Sequence, residues 1–94
     1  MKQQNKILRQ LEIRAQLSGQ PLPGIPIVEL AGERRVLIEN HCGVREYLDN
    51  SVSIGVSFGL IQIHGTDLQI ARMSSDALVV TGTIDSIKLE RSFR

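Results

Sequence analysis

From residue 27 onward, apolar and polar side chains alternate along the chain with a period of two. The clearest case is Val52, Ile54 and Val56, which alternate with serine and glycine. Successive side chains of a β-strand point to opposite faces of its sheet, so this pattern predicts half-buried strands. Shorter runs of the same kind lie at residues 36–39, 61–64, 68–71, 78–81 and 87–90.

Turn-forming residues separate these runs at short intervals. The breaks lie at residues 31–32, 41–43, 49–50, 57–59, 65–67 and 74–76. Parallel strands need crossovers of about a dozen residues, which these breaks do not provide. The pattern therefore predicts a mainly β domain over residues 27–94, an antiparallel sheet, sandwich or roll. Weak repetition between residues 60 and 89 leaves a short β-solenoid as an alternative.

Two features of this β region have a meaning that depends on where the sheet places them. Gly82 interrupts the apolar run from Leu78 to Ile84, which fits either a bulge or a bend between two strands. The segment from Ser51 to Ser57 carries no charge. If that segment lay at an exposed sheet edge, it would invite pairing with another chain.

The first residues follow a different period. Ile7, Leu8, Leu11 and Ala15 share one face of a helical wheel, with lysine and arginine around much of the rest. Residues 1–17 are therefore predicted to form an N-terminal amphipathic helix, and the Pro- and Gly-rich residues 18–26 a linker. Such a short helix is marginal alone, so we expect it to dock on the domain, on a partner or on a membrane surface.

Composition narrows the function classes. The 94 residues fit one domain, and a net charge of +1 argues against nucleic-acid binding. Cys42 is the single cysteine, so no internal disulfide can form, as expected in a reducing compartment. No apolar run approaches the roughly 20 residues that span a bilayer, which predicts a cytoplasmic protein with at most peripheral membrane contact. Aromatic residues make up only 3%, so a thin core would favour association, and a homo-oligomer is expected.

Candidate chemistry is sparse. His41 and Cys42 are neighbours, and on a strand they would point to opposite faces, which prevents a catalytic dyad. A metal site would need His41, Cys42 and His64 to converge, without any recognised ligand spacing. We therefore predict no enzyme, no cofactor and no metal. A small-ligand or metal-binding domain remains the alternative function.

Several stretches resemble the YabP/YqfC family of bacterial sporulation proteins, especially its YqfC branch. The most specific is LIENHCGVREY at residues 37–47, followed by GLIQIHG at 59–65, LQI at 68–70 and VVTGTI at 79–84. The resemblance implies a non-enzymatic structural or adaptor role in endospore formation, in the mother cell and including the forespore surface. The implied partners are a membrane protein of the YqfD type or spore coat components.

The residues that carry this resemblance have two interpretations. The functional one is a partner-binding patch, for which tyrosine is a good anchor. The structural one is a specialised turn, in which Gly43 has positive φ and Tyr47 anchors the following strand. Phe58 joins the candidates as a contact point if it is exposed. The candidate residues are Asn40, His41, Gly43, Glu46, Tyr47 and Phe58.

Overall fold

A computed structural model describes residues 24–92 as six antiparallel strands in one open sheet. The predicted helix at residues 1–17, and residues 18–23 of the predicted linker, lie outside the described part. In chain order the strands are β1 (Ile27–Ala31), β2 (Arg35–Glu39), β3 (Val44–Leu48), β4 (Ser51–Val56), β5 (Gly59–Met73) and β6 (Ala77–Arg91). The mainly β, antiparallel prediction is confirmed. The solenoid alternative is wrong, because every strand pairs antiparallel with its neighbour in a single sheet.

The spatial order of the strands is β1-β2-β6-β5-β4-β3. Four pairs of neighbours are hairpins with short turns, as the breaks in the pattern predict. The connection between β2 and β3 is the exception. These two strands lie far apart in the sheet order, although only residues 40–43 join them. This 40–43 connection crosses from one part of the sheet to the other.

The predicted break at residues 65–67 is wrong, because β5 runs through it as one 15-residue strand. The pairing of β5 with β6 continues through this stretch, with register shifts at His64/Gly65 and Thr66/Gln69. Gly82 lies opposite this irregularity with φ 135°. A Cβ at Gly82 would lie 2.6 Å from the carbonyl oxygen of Asp67, so the close approach of the two strands requires glycine there.

These irregularities divide the sheet into two parts. The β2 half contains β1, β2 and the adjoining ends of the β5–β6 hairpin, and the β4 half contains β3, β4 and the rest of that hairpin. Side chains from both halves form a single buried cluster, so their inner faces share one core. The cluster consists of Val36, Ile38, Val52, Ile54, Val56, Ile61, Ile63, Leu68, Leu78 and Val80.

Strand β4 differs from its prediction. It was expected to be half-buried, but all residues from Val52 to Val56 are buried, including the outward-facing Ser53 and Gly55. β4 also lies between β3 and β5 rather than at an edge. Its lack of charge is therefore explained by burial within the sheet and not by exposure to another chain.

Candidate functional site

Five of the six candidate residues lie in the connection between β2 and β3 or in β3 itself, and Phe58 lies in the turn before β5. Strand β2 ends just before Asn40, whose φ of 63° lies in the left-handed region that asparagine tolerates better than most residues. Its backbone N–H donates to the carbonyl of Asp76, which extends the pairing of β2 with β6. Its side-chain Nδ2 donates to the carbonyl of Ile25 at 2.7 Å. Asn40 thus turns the chain and fixes the segment that enters β1.

His41 is buried, with 8% of its surface exposed. Its Nδ1 lies 2.9 Å from the backbone nitrogen of Gly43, and its Nε2 lies 2.9 Å from the carbonyl oxygen of Ser74. A backbone N–H can only donate and a carbonyl can only accept, so Nδ1 accepts and Nε2 carries the proton. Both ring nitrogens of this tautomer are occupied by the backbone, which leaves neither for a metal or for proton transfer.

The next two residues begin the pairing with β4. The Cys42 N–H donates to the carbonyl of Gly55 at 2.6 Å, and the Gly55 N–H donates to the carbonyl of Gly43 at 2.8 Å. Gly43 adopts φ 107°, a conformation that strains any residue with a side chain. The 40–43 connection is therefore bonded to β6 at its start and to β4 at its end. It joins the two halves of the sheet.

Arg45 completes this connection, a role that no pattern in the sequence indicates. Its guanidinium donates to the carbonyl of Cys42 at 3.0 Å and lies flat over Gly55. A Cβ at Gly55 would lie 2.6 Å from the Arg45 Cζ, so glycine makes room for the guanidinium. Ser53 and Gly55 are buried on the outward face of β4, although the alternation in the sequence predicts exposure there.

Tyr47 links the two halves a second time. Its ring is half exposed, and its Oη accepts the backbone N–H of Ile70 at 3.1 Å. Ile70 lies in the part of β5 beyond His64, where pairing with β4 has ended. Tyr47 therefore caps the Ile70 N–H, which has no described strand beside it on that side. Glu46 is exposed on β3 opposite Ser53, with its carboxylate directed away from the core cluster.

Phe58 is not the exposed contact that its position in a turn suggested. Its ring is partly buried and packs against the core cluster. One side of it lines a shallow groove with Arg45, Leu60, Glu90 and Arg91. A role of Phe58 in partner binding remains a prediction that would have to use this groove.

The structure does not bring the three candidate ligands together. His64 lies on β5, opposite Ser51 and Ser86 on the outward face, while Cys42 is exposed on the 40–43 connection. Among residues 24–92, no group of three or more His, Cys, Asp or Glu side chains is placed to hold a metal ion. Nothing in this geometry favours the alternative of a metal-binding domain.

Comparison with known families gives one match. The model of the YabP family matches residues 26–93, well over half of the chain. The chain belongs to the YabP family. The match covers all six strands and the whole 40–47 segment, but does not single out the YqfC branch. No curated protein and no solved structure matches the chain.

Membership of the YabP family points to a role related to sporulation. The family is not a known enzyme family. In the described part of the chain, no helix has the length and apolar character needed to cross a membrane. Most polar groups of the 40–47 segment are bonded to the backbone, so this YabP-family protein uses them to hold its sheet together.

Proposed function

We propose that this YabP-family protein is a non-enzymatic structural or adaptor component of endospore formation. It acts in the mother cell and at the surface of the forespore. It does so by self-association or by binding a membrane or coat partner. One observation carries this proposal: the sheet formed by residues 24–92 is open, so within this part of the chain β1 and β3 lie at its two ends and each has a neighbouring strand on one side only. Unpaired strand edges are templates for binding another chain by main-chain hydrogen bonds.

The surface of the sheet supports an association role over a chemical one. Several large apolar side chains near the sheet margins remain at least half exposed, among them Leu30, Leu48, Met73 and Leu89. Each would lose contact with water if another chain extended the sheet. Two of the candidate side chains that could take part in chemistry, His41 and Tyr47, are instead bonded to backbone groups.

The choice of partner rests on the resemblance to the YqfC branch. We propose a membrane protein of the YqfD type or a spore coat component as the partner. The basic N-terminal residues would contribute peripheral contact with an anionic membrane surface. In this arrangement the β domain carries the protein–protein contact and the membrane contact is secondary.

A deletion strain of a spore-forming bacterium that carries this chain tests the function. We expect fewer heat-resistant spores after deletion, restored by the wild-type chain. A tagged chain, cross-linked in sporulating cells, should recover either copies of itself or a membrane or coat protein. Normal spore yield and coat composition after deletion, with no cross-linked species, would contradict the proposal.

A further inference from the structure

The C-terminal part of β6 has an open edge of its own. β2 pairs only with residues 77–81 of β6, so from Ile87 onward no described strand lies on that side. On the other side, pairing with β5 runs from Ser86 to Arg91 without a register shift. This edge is therefore straight and regular, which suits addition of another strand.

The hydrogen bonds show which backbone groups face outward. The N–H of Ser92 donates to the carbonyl of Phe58 at 2.9 Å, so these two residues form a hydrogen-bonded pair. Hydrogen-bonded and non-hydrogen-bonded pairs alternate along an antiparallel ladder. Ser86, Lys88 and Glu90 thus bond toward β5. The backbone N–H and C=O groups of Ile87, Leu89 and Arg91 point away from it.

The side chains of this edge divide between the two faces. Leu89 lies on the core side, opposite Ile61, yet 63% of its surface is exposed, the largest value among the exposed large hydrophobic residues described. Lys88 and Glu90 lie on the outward face and are exposed. Glu90 also accepts a hydrogen bond from Gln62 at 3.2 Å, which holds its carboxylate on that face.

We propose that this edge binds the same edge of a second copy, in an antiparallel pair with Leu89 opposite Leu89 on the two-fold axis. The proposal rests on the self-association proposed above and names its surface. In this register Ile87 of each copy lies opposite Arg91 of the other, so all the outward backbone groups of these three residues are bonded. Lys88 of each copy lies opposite Glu90 of the other, which gives two opposite-charge pairs. The edge is therefore complementary to itself in both hydrogen bonding and charge.

The other edges fit a second copy less well. By the same alternation, the backbone groups of Val28 and Leu30 point outward from β1. In a symmetric pair of two β1 strands that bonds the backbone of both residues, Glu29 of one copy lies opposite Glu29 of the other. Like charges directly opposite are destabilising. Strand β3 is interrupted by a register shift between Val44 and Glu46.

The outer edge of β5 beyond His64 is also unsuitable. The N–H of Leu68 donates there to the carbonyl of Asp49, and the N–H of Ile70 donates to the hydroxyl of Tyr47. These backbone groups are already bonded within the chain. Among the strand edges of residues 24–92, the β6 edge is thus the one whose outward groups and charges match a second copy.

Charge reversal in the full-length chain tests the register. Lys88→Glu and Glu90→Lys each replace two attractive pairs by two repulsive ones, while the double variant restores attraction. We expect each single variant to raise the dimer dissociation constant about tenfold or more, and the double variant to return it close to wild type. Analytical ultracentrifugation over a wide concentration range makes this comparison, since a pairing this small is expected to be weak. Arg72→Glu, an exposed arginine on β5, is the matched control and should change little.

A cross-link tests the axis independently. Paired residues in a hydrogen-bonded antiparallel pair have Cα atoms about 5.5 Å apart, within the range that a disulfide spans. In a Cys42→Ser background, Leu89→Cys should therefore form a covalent dimer on mild oxidation. Lys88→Cys, which would not face its own copy, should form it much more slowly. Circular dichroism melting confirms that each variant is folded.

The possible outcomes distinguish a failure of the β6 pairing from a failure of the proposed function. A wild-type dimer that neither single reversal weakens, or that Arg72→Glu weakens equally, overturns the β6 pairing and leaves self-association standing. Equal cross-linking at positions 88 and 89 also overturns it. A wild-type chain that is monomeric throughout overturns the pairing too, while the deletion strain and cross-linked partner still test the proposed function.

Discussion

The imidazole of His41 is bonded at both ends by the backbone, and its Nε2 lies 2.9 Å from the carbonyl oxygen of Ser74. Ser74 lies in the turn between β5 and β6, whereas His41 belongs to the connection between β2 and β3. The buried ring therefore joins two segments 33 residues apart in the chain. This contact gives the histidine of the 37–47 stretch a structural role.

Replacement of His41 by alanine should destabilise the fold. It leaves the Gly43 N–H and the Ser74 carbonyl without their partner in a buried place, and each such loss costs about 1–3 kcal/mol. We expect a loss of about 2–4 kcal/mol in the free energy of unfolding, measured by urea denaturation. His41→Asn should lose less, because its side-chain oxygen can still accept from Gly43.

His64→Ala is the matched control for this measurement. His64 is half-buried on the outward face of β5 and makes none of the described side-chain hydrogen bonds. Its replacement should change the unfolding free energy by less than about 0.5 kcal/mol. Equal losses for the two histidines would show that the His41 bonds are not what stabilises the connection.

Tyr47→Phe removes one hydroxyl and keeps the ring. The Ile70 N–H then loses its acceptor, with an expected cost of about 0.5–1.5 kcal/mol. Amide hydrogen exchange followed by NMR should show faster exchange at Ile70. The Leu68 amide, which donates to the carbonyl of Asp49, should be unaffected. Unchanged protection at Ile70 would mean that the hydroxyl does not cap this strand.

Two glycine replacements should differ in cost because their neighbours differ. A Cβ at Gly55 meets the Arg45 guanidinium, a flexible group that can move at the loss of its bond to Cys42. A Cβ at Gly65 meets the backbone carbonyl of Thr83, which cannot move without breaking the β5–β6 pairing. We expect Gly55→Ala to cost about 1–2 kcal/mol and Gly65→Ala to cost more than about 3 kcal/mol by thermal or urea unfolding.

A double-mutant cycle checks the cause at Gly55. If the guanidinium is the obstacle, Gly55→Ala should cost clearly less in an Arg45→Ala background than in the wild type. Additive losses would assign the cost of Gly55→Ala to the backbone instead.

Much of the fold could be predicted from period-two alternation. Val36, Ile38, Leu78 and Val80 are buried as the pattern indicates, because a sheet face that meets a core selects apolar residues at every second position. The turn at residues 49–50 also lies where it was predicted. Both features are local, so a single sequence carries them.

The remaining features depend on contacts between distant residues. The continuity of β5 through Gly65 depends on bulges matched by Gly82 in β6, and the local pattern at Gly82 fits a bulge and a bend equally. On the outward face of β4, Gly55 is covered by the guanidinium of Arg45, so the alternation of apolar and polar residues does not predict its burial. The position of β6 beside β2 follows from long-range pairing alone.

Most of the candidate residues between positions 40 and 47 form hydrogen bonds that hold the sheet together. The positive φ predicted for Gly43 is present. Tyr47 was predicted to anchor the strand that follows it, but its hydroxyl bonds to Ile70 of β5 and not to β4. The bonds of His41 to Gly43 and Ser74 were not predictable, because Ser74 is brought close only by the β5–β6 hairpin. Partner binding by these residues stays a prediction.

The most direct test of the account is the protonation pattern of the His41 ring. Long-range ¹H–¹⁵N NMR spectra of the folded protein report which ring nitrogen of the neutral His41 side chain carries the proton. The account predicts a single neutral tautomer with the proton on Nε2 and an unprotonated Nδ1 that accepts from Gly43. A proton on Nδ1, or the averaged signals of a solvent-exposed histidine, would contradict it.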